Sequence, residues 1–291
     1  DLCVIGLLAD LAGLLSLEQT GMLADLFKRV RLQINRPPGM VLVTGPTGSG
    51  KTTTLYAALS ELNDATKKII TVEDPVEYRL PRINQVQVNA KIDLTFSSVL
   101  RTALRQDPDI MMVGEMRDQE TVEIGLRGAI TGHLVLSTLH TNDAITSALR
   151  LIDMGAAGFL VGSALRAIVA QRLVRRVCDS CATEYHADEQ ELFWLTNLAG
   201  DIARSTQFKY GKGCQTCQYT GYKGRIGVFE LLEMNEGMMS ALKRNDSELF
   251  GQLAKKSPSF TPLAKAAFDY AVQGVTTVEE VLRLVETIDI N

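Results

Sequence analysis

The sequence predicts an α/β fold: a mostly parallel sheet with helices on both faces, interrupted by a cysteine-rich insertion and followed by C-terminal helices. Three observations predict it. Short apolar, β-branched runs at 40–44, 69–72, 109–113 and 134–138 alternate with stretches of helical periodicity, as in successive βαβ units. The segment Gly45-Pro46-Thr47-Gly48-Ser49-Gly50-Lys51-Thr52 satisfies the phosphate-loop pattern G-x-x-x-x-G-K-[ST] between a strand-like and a helix-like stretch. Two C-x-x-C pairs, Cys178/Cys181 and Cys214/Cys217, stand in a turn-rich stretch beyond the last of these units.

Each element has its own signal. Met22, Leu23, Leu26, Phe27, Val30 and Ile34 recur at helical spacing. Pro37-Pro38-Gly39 should end that helix and open the first strand, 40–44. A helix from the phosphate-loop lysine through Leu62 follows, then a strand at 69–72. Residues 84–89 (N-Q-V-Q-V-N) alternate as a half-exposed strand would. Helices are expected at 96–105, 121–130, 143–154 and 159–173, with strands at 109–113 and 134–138. From about Val177 to Gly227 the chain is rich in turns, and from Phe229 it reads as helices. The expected division is a helical segment or linker at 1–38, an ATPase-like core at 39–176, a tetracysteine subdomain at 177–228 and a helical subdomain at 229–291.

The 291 residues suffice for two domains, or one with appendages. An apolar share of 46%, a charged share of 22% and a net charge of −4 describe an ordinary globular chain with no demand for a nucleic-acid partner. The basic cluster Arg172, Arg175 and Arg176 reads as a solvated face. The apolar stretch 2–17 is broken by Asp10 and lacks a basic flank, so it is neither a membrane span nor a signal peptide. The chain does not begin with Met and is expected to be a piece of a longer protein. Five cysteines, with Cys3 left over from the two pairs, are not a disulfide scaffold.

The phosphate loop, Gly45 through Thr53, can turn backbone N–H groups inward on a phosphate at a helix N-terminus. Lys51 is then placed to reach the β- and γ-phosphates, and the Thr52 hydroxyl to ligate Mg²⁺. Strand 109–113 ends at Gly114-Glu115, a Walker-B-like carboxylate suited to the Mg²⁺ hydration shell. Glu73, Asp74 and Glu77 follow the second strand, where α/β sheets bind ligands; Glu77 is the choice for polarising the attacking water. His133 and His140 flank the fourth strand, so at most one should touch phosphate directly. Arg101 and Arg105, one helical turn apart, and Arg117 are arginine-finger candidates; surface pairing with Asp107, Asp109 or Asp118 is the competing reading. Cys178, Cys181, Cys214 and Cys217 form two knuckles 32 residues apart. They suit tetrahedral Zn²⁺ in a closed site with no catalytic position, so 182–213 must fold as an insertion.

Together these motifs resemble the secretion ATPase superfamily, best the assembly ATPases of type IV pili and type II secretion. The resemblance runs from about Gly39 to Glu286. It is carried by the phosphate loop, an "Asp box" Glu73-Asp74-Pro75-Val76-Glu77-Tyr78, Arg101 to Asp109 with Val113-Gly114-Glu115-Met116-Arg117-Asp118, and a "His box" from Thr131 to Asn142. The tetracysteine segment and Gly221 to Glu230 look like the assembly group and unlike retraction ATPases; the branch serving mannose-sensitive haemagglutinin pili is especially similar. The resemblance implies a RecA-like core in a homo-hexamer that hydrolyses ATP with Mg²⁺. It also implies a cytoplasmic motor peripheral to the bacterial inner membrane, working on a platform protein of a pilus or secretion system. Glu77, Glu115, His133 and His140 match its Asp-box, Walker B and His-box residues, and Arg101 and Arg105 its interface arginines. The family's N-terminal domain, which adds a further arginine, is expected to be mostly missing here. A DNA-directed ring ATPase of the conjugation type and a zinc-knuckle binding module with a degenerate nucleotide site are the alternatives. Net negative charge opposes the first, and the intact lysine, glutamates and histidines oppose the second.

Overall fold

The computed structural model describes residues 16–36 and 38–289. Cys3, Pro37 and nearly all of the apolar stretch 2–17 lie outside them. Helix α1 (Ala24–Ile34) leads into β1 (Gly39–Thr44), the phosphate loop and α2 (Lys51–Leu62). There follow β2 (Ile69–Glu73), β3 (Asn84–Gln87), α3 (Phe96–Ala103), β4 (Ile110–Val113), α4 (Gln119–Ile130), β5 (Leu134–Leu139), α5 (Ala144–Asp153), α6 (Gly158–Ala164) and β6 (Leu165–Val177). The insertion holds β7 (Ala182–Tyr185), α7 (Glu189–Ala199), α8 (Ile202–Ser205) and β8 (Phe208–Gly211). Strand β9 (Tyr222–Glu233) and helices α9 (Glu236–Lys243), α10 (Ser247–Lys255), α11 (Leu263–Val272) and α12 (Val278–Asp289) complete it.

One sheet, ordered β3-β2-β4-β5-β1-β6-β9, organises the molecule. Every pairing is parallel except β6 with β9, which is antiparallel. Both faces are covered: Met40 and Leu42 of β1 pack into one apolar core, Val41 and Val43 into another. Double burial makes the strands read as continuous apolar runs instead of alternating ones.

The same property explains a correction. Residues 159–173 read as one helix, but the helix stops at Ala164 and residues 165–177 form β6. A run buried on both faces has no period of two to announce it. Pairing with β1 on one side and β9 on the other decides the outcome. Strand β9 was equally hidden: Gly221, Gly224 and Gly227 made its first half look like turns, and helices begin only at Glu236. It runs across the expected boundary at 228. Strands β7 and β8 pair antiparallel and frame the insertion.

Glu230 on β9 fastens the helices to the sheet. Its buried carboxylate accepts from the backbone N–H of Ala144 (2.6 Å) and of Leu263 (2.7 Å), the first residues of α5 and α11. Burial raises its pKa to about 7, against the opposing pull of those two N–H groups. The folded state therefore holds a proton that the unfolded chain releases near pH 4.5, and stability falls as pH rises through that window. The expected decline, measured as urea-unfolding free energy between pH 4.5 and 7, is about 3 kcal/mol. Glu230→Gln should flatten it.

Among the described residues no helix is long and apolar enough to cross a membrane.

Candidate nucleotide cleft and cysteine cluster

A cleft of about 670 Å³ opens at the C-terminal ends of β1, β2, β4 and β5. It is lined by Thr47, Gly48, Gly50, Lys51, Thr52 and Thr53 from the loop and α2, by Glu73 at the end of β2 with Asp74 and Glu77 beyond it, by Glu115 and Arg117 after β4, and by His140 after β5. Gly45, Pro46 and Ser49 belong to the loop but are not among the cleft's lining residues. The loop needs its glycines: Gly48 and Gly50 adopt φ of +79° and +89°, where a side chain is strained. A Cβ on Gly48 would meet nothing within 4 Å, so the cradle is open to a ligand on that side.

The Lys51 ammonium donates to the carbonyls of Gly45 (2.8 Å) and Pro46 (2.9 Å) and lies 3.4 Å from Nδ1 of His140. Burial lowers its pKa, with Arg172 adding to the effect and Glu115 opposing it. Nε2 of His140 lies 3.0 Å from one oxygen of Glu115. Lysine has only donors, so a neutral His140 protonated at Nε2 satisfies both neighbours. The other Glu115 oxygen accepts from Nε of Arg117 (2.7 Å), whose Nη1 reaches Asp74 at 3.2 Å. The hydrogen bond to Glu115 raises the pKa of Arg117 despite partial burial. Asp74, Arg117, Glu115, His140 and Lys51 thus form one alternating chain of charge and hydrogen bonds across the cleft.

The three acidic residues after β2 separate. Glu73 is buried and committed to the fold: it accepts from Tyr56, from Thr71 Oγ1 (2.6 Å) and from Gln85 (3.2 Å). Asp74 pairs with Arg117. Glu77 is exposed on the cleft wall, and its backbone N–H donates to the Tyr56 hydroxyl (3.2 Å). His133 lies at the opposite end of β5, with Nδ1 2.9 Å from the Gly128 carbonyl, away from the cleft. Arg101 pairs with Glu120 at 2.5 Å, and both Arg101 and Arg105 are exposed outside the cleft lining.

The basic cluster read as a solvated face is largely not one. Arg172 is buried and donates to Asn142 O (2.9 Å) and Oδ1 (3.2 Å). Arg175 pairs with buried Glu280 (2.7 Å) and lies 3.9 Å over the Tyr222 ring. Only Arg176 is exposed. Two consecutive arginines on a strand face opposite ways, and residues 174–177, given no element by the sequence reading, continue β6.

The four cysteines converge: their Sγ atoms all lie within 4.8 Å of one another. The pairs Cys178–Cys214 and Cys181–Cys217 are 3.9 Å apart, and Cys214–Cys217 3.8 Å. The edge of a tetrahedron with Zn–S bonds of 2.3 Å is about 3.8 Å, so the cluster fits a metal of that size. Backbone N–H groups of Gly213 and Gly221 donate to Cys181 and Cys217 at 3.3 Å each. Burial raises the Cys217 thiol, yet the N–H groups of Cys214 and Gly221 outweigh it and bring it to about 6. Burial pushes the neighbouring Cys181 thiol the other way, up to about 12.

A family model described as "Type II/IV secretion system protein" matches residues 2–283. Type II secretion system protein E of Pseudomonas aeruginosa is 47% identical over 283 residues, which are 97% of this chain and 55% of that protein. The type IV pilus assembly ATPase PilB of Thermus thermophilus is 42% identical over 279 residues, 96% of this chain and 31% of that one. The chain therefore spans about half the length of the first of these relatives and about a third of the second. The crystal structure of the pilus retraction motor PilT with bound ADP matches with a TM-score of 0.69 and 28% identity, covering 94% of this chain and 67% of that one. With a match over almost its whole length, the chain belongs to the type II/IV secretion system protein family.

Proposed function

We propose that this chain is the ATP-hydrolysing part of a ring motor that drives type II secretion or type IV pilus assembly. The observation that carries the reading is the meeting of Lys51, Glu115 and His140 beneath a glycine cradle, in a chain similar to secretion and pilus ATPases.

Lys51 would exchange the Gly45 and Pro46 carbonyls for the β- and γ-phosphates of ATP. Mg²⁺, held by Thr52 and Glu115, would supply neutralising charge there. Glu77, exposed at the cleft wall, would orient the attacking water. His140 would keep Glu115 in register through its Nε2–H and signal phosphate loss to the α5 side. Arg101 and Arg105, being exposed, fit service across a subunit boundary, and His133 fits a supporting role at the far end of β5. The work is positioning and electrostatic stabilisation. The motor would be a homo-hexamer in the cytoplasm, docked on an inner-membrane platform protein. Segments 39–176 and 229–291 would form the motor body, with 1–38 linking to a preceding domain. Zn²⁺ in the four-thiolate site of segment 177–228 would be structural.

Mg²⁺-dependent phosphate release tests the reading. The rate per subunit should rise with protein concentration, and Glu115→Gln should reduce it about 10²-fold or more. A concentration-independent rate that survives Glu115→Gln would overturn the proposal.

A further inference from the structure

Gln171 stands where β6 passes the mouth of the phosphate loop. Strand β6 runs parallel to β1, with Ala170 paired to Thr44, so Gln171 is level with the first loop glycine. Its side chain is buried, at 2% exposure. The amide Nε2 donates to the Ser49 carbonyl (2.5 Å), and Oε1 accepts from the Thr54 hydroxyl (2.6 Å). Its backbone carbonyl lies 2.5 Å from where a Cβ on Gly45 would stand, and Nε2 3.0 Å from one on Gly50. A single residue therefore touches the loop's entry, its exit and the first turn of α2.

Other restraints on the loop come from Lys51, whose ammonium donates to the Gly45 and Pro46 carbonyls. Backbone bonding adds Ser49 N–H to Pro46 O (3.2 Å), Thr54 N–H to Gly50 O (3.0 Å) and, at the base, Gly45 N–H to Leu139 O (3.3 Å). Gly48 and Gly50 adopt positive φ, a conformation that glycine permits without enforcing. A contact from outside the loop can select it. A primary amide does so by offering a donor to one side of the loop and an acceptor to the other at once. Glutamate of the same shape has no donor for Ser49 O.

We propose that Gln171 is a positioning residue for the phosphate loop, holding Ser49 and Thr54 so that the loop's N–H groups are preset for the nucleotide's phosphates. The proposal rests on the nucleotide reading of the cleft. It also gives β6 a second task. The strand pairs with β9, which Glu230 ties to α5 and α11, so a shift of those helices would reach the loop through Gln171.

The test is titration of the full chain with a fluorescent ATP analogue and with the corresponding AMP analogue, in Mg²⁺. Gln171→Ala and Gln171→Glu should each weaken ATP binding about tenfold. The AMP analogue, with one phosphate, should weaken far less, and the number of sites per folded chain should be unchanged. A purely structural role would lower the number of sites and leave the affinity of the remainder alone. Where either variant fails to fold, Thr54→Val removes one grip at nearly constant volume and should weaken ATP binding by about threefold. Wild-type affinity in the Gln171 variants, or in Thr54→Val if those do not fold, with binding lost in Lys51→Ala, would overturn this inference alone. Failure of the wild-type chain to bind Mg-ATP would overturn the nucleotide reading and this inference with it.

Discussion

Lys51→Ala is expected to lower ATP turnover by about 10²–10³-fold while the chain stays folded. The magnitude follows from where the ammonium sits. It is the buried cation of the cleft, at 8% exposure, held against two loop carbonyls and 3.4 Å from His140. Charge that is already desolvated and fixed loses little on meeting the phosphates, so its removal weakens nucleotide binding and transition-state stabilisation alike. Folding should suffer little. Lys51 is desolvated at an energetic cost, as its lowered pKa records, and the Gly45 and Pro46 carbonyls it leaves can be met by water. Lys51→Arg should not restore turnover, since a planar fork cannot replace a compact ammonium between two carbonyls. Phosphate release and the thermal transition measured on the same samples check both halves. Wild-type turnover in Lys51→Ala would sink the account.

The parts of this site legible in sequence are those whose chemistry needs consecutive residues. A phosphate loop must be a strand, a glycine turn and a lysine in fixed order, so Gly45 to Thr53 announced itself. Glu115, at the end of an apolar strand, carried a similar local signal. What escaped was set by tertiary partners. Nothing in Glu73-Asp74-Pro75-Val76-Glu77 says that Glu73 faces inward to Tyr56, Thr71 and Gln85 while Glu77 faces the cleft. Arg117 was weighed as a finger for a neighbouring subunit, yet here it bridges Glu115 and Asp74 in its own cleft. Gln171 went unnoticed, and the burial of Arg172 and Glu230 was hidden, because β6 and β9 were not recognised as strands. Gln171 and Arg172 fall in the expected helix 159–173 and Glu230 in the expected C-terminal helices, where polar residues are assigned to an outer face. The sheet instead encloses them.

Removal of metal from the cysteine cluster, or Cys214→Ser, is expected to cost the most stability of any single change. Structural zinc contributes about 10–16 kcal/mol in small domains that fold around it, while few of the insertion's own side chains are buried in the main core. Among its described residues, Leu195, Ala203 and Phe208 are the fully buried apolar side chains. The cluster also lies at a joint. Cys178 follows the last residue of β6, and its N–H donates to the Gly221 carbonyl (3.0 Å) immediately before β9. Val177 pairs with Tyr222 at the same place. Four thiolates around one ion would pin the free end of the β6–β9 ribbon, and without them like-charged or unpaired sulfurs 3.8–3.9 Å apart would push it open. The damage should spread from the insertion along β6 toward Gln171, not begin at the nucleotide cleft, because a closed four-cysteine site has no coordination position to offer a substrate. Metal analysis should give one zinc per chain. Stripping it should add a low-temperature transition in calorimetry and lose amide-exchange protection first at 177–222. A zinc-free chain with an unchanged melting profile and unchanged protection there would show that hydrogen bonding and packing alone hold the ribbon closed.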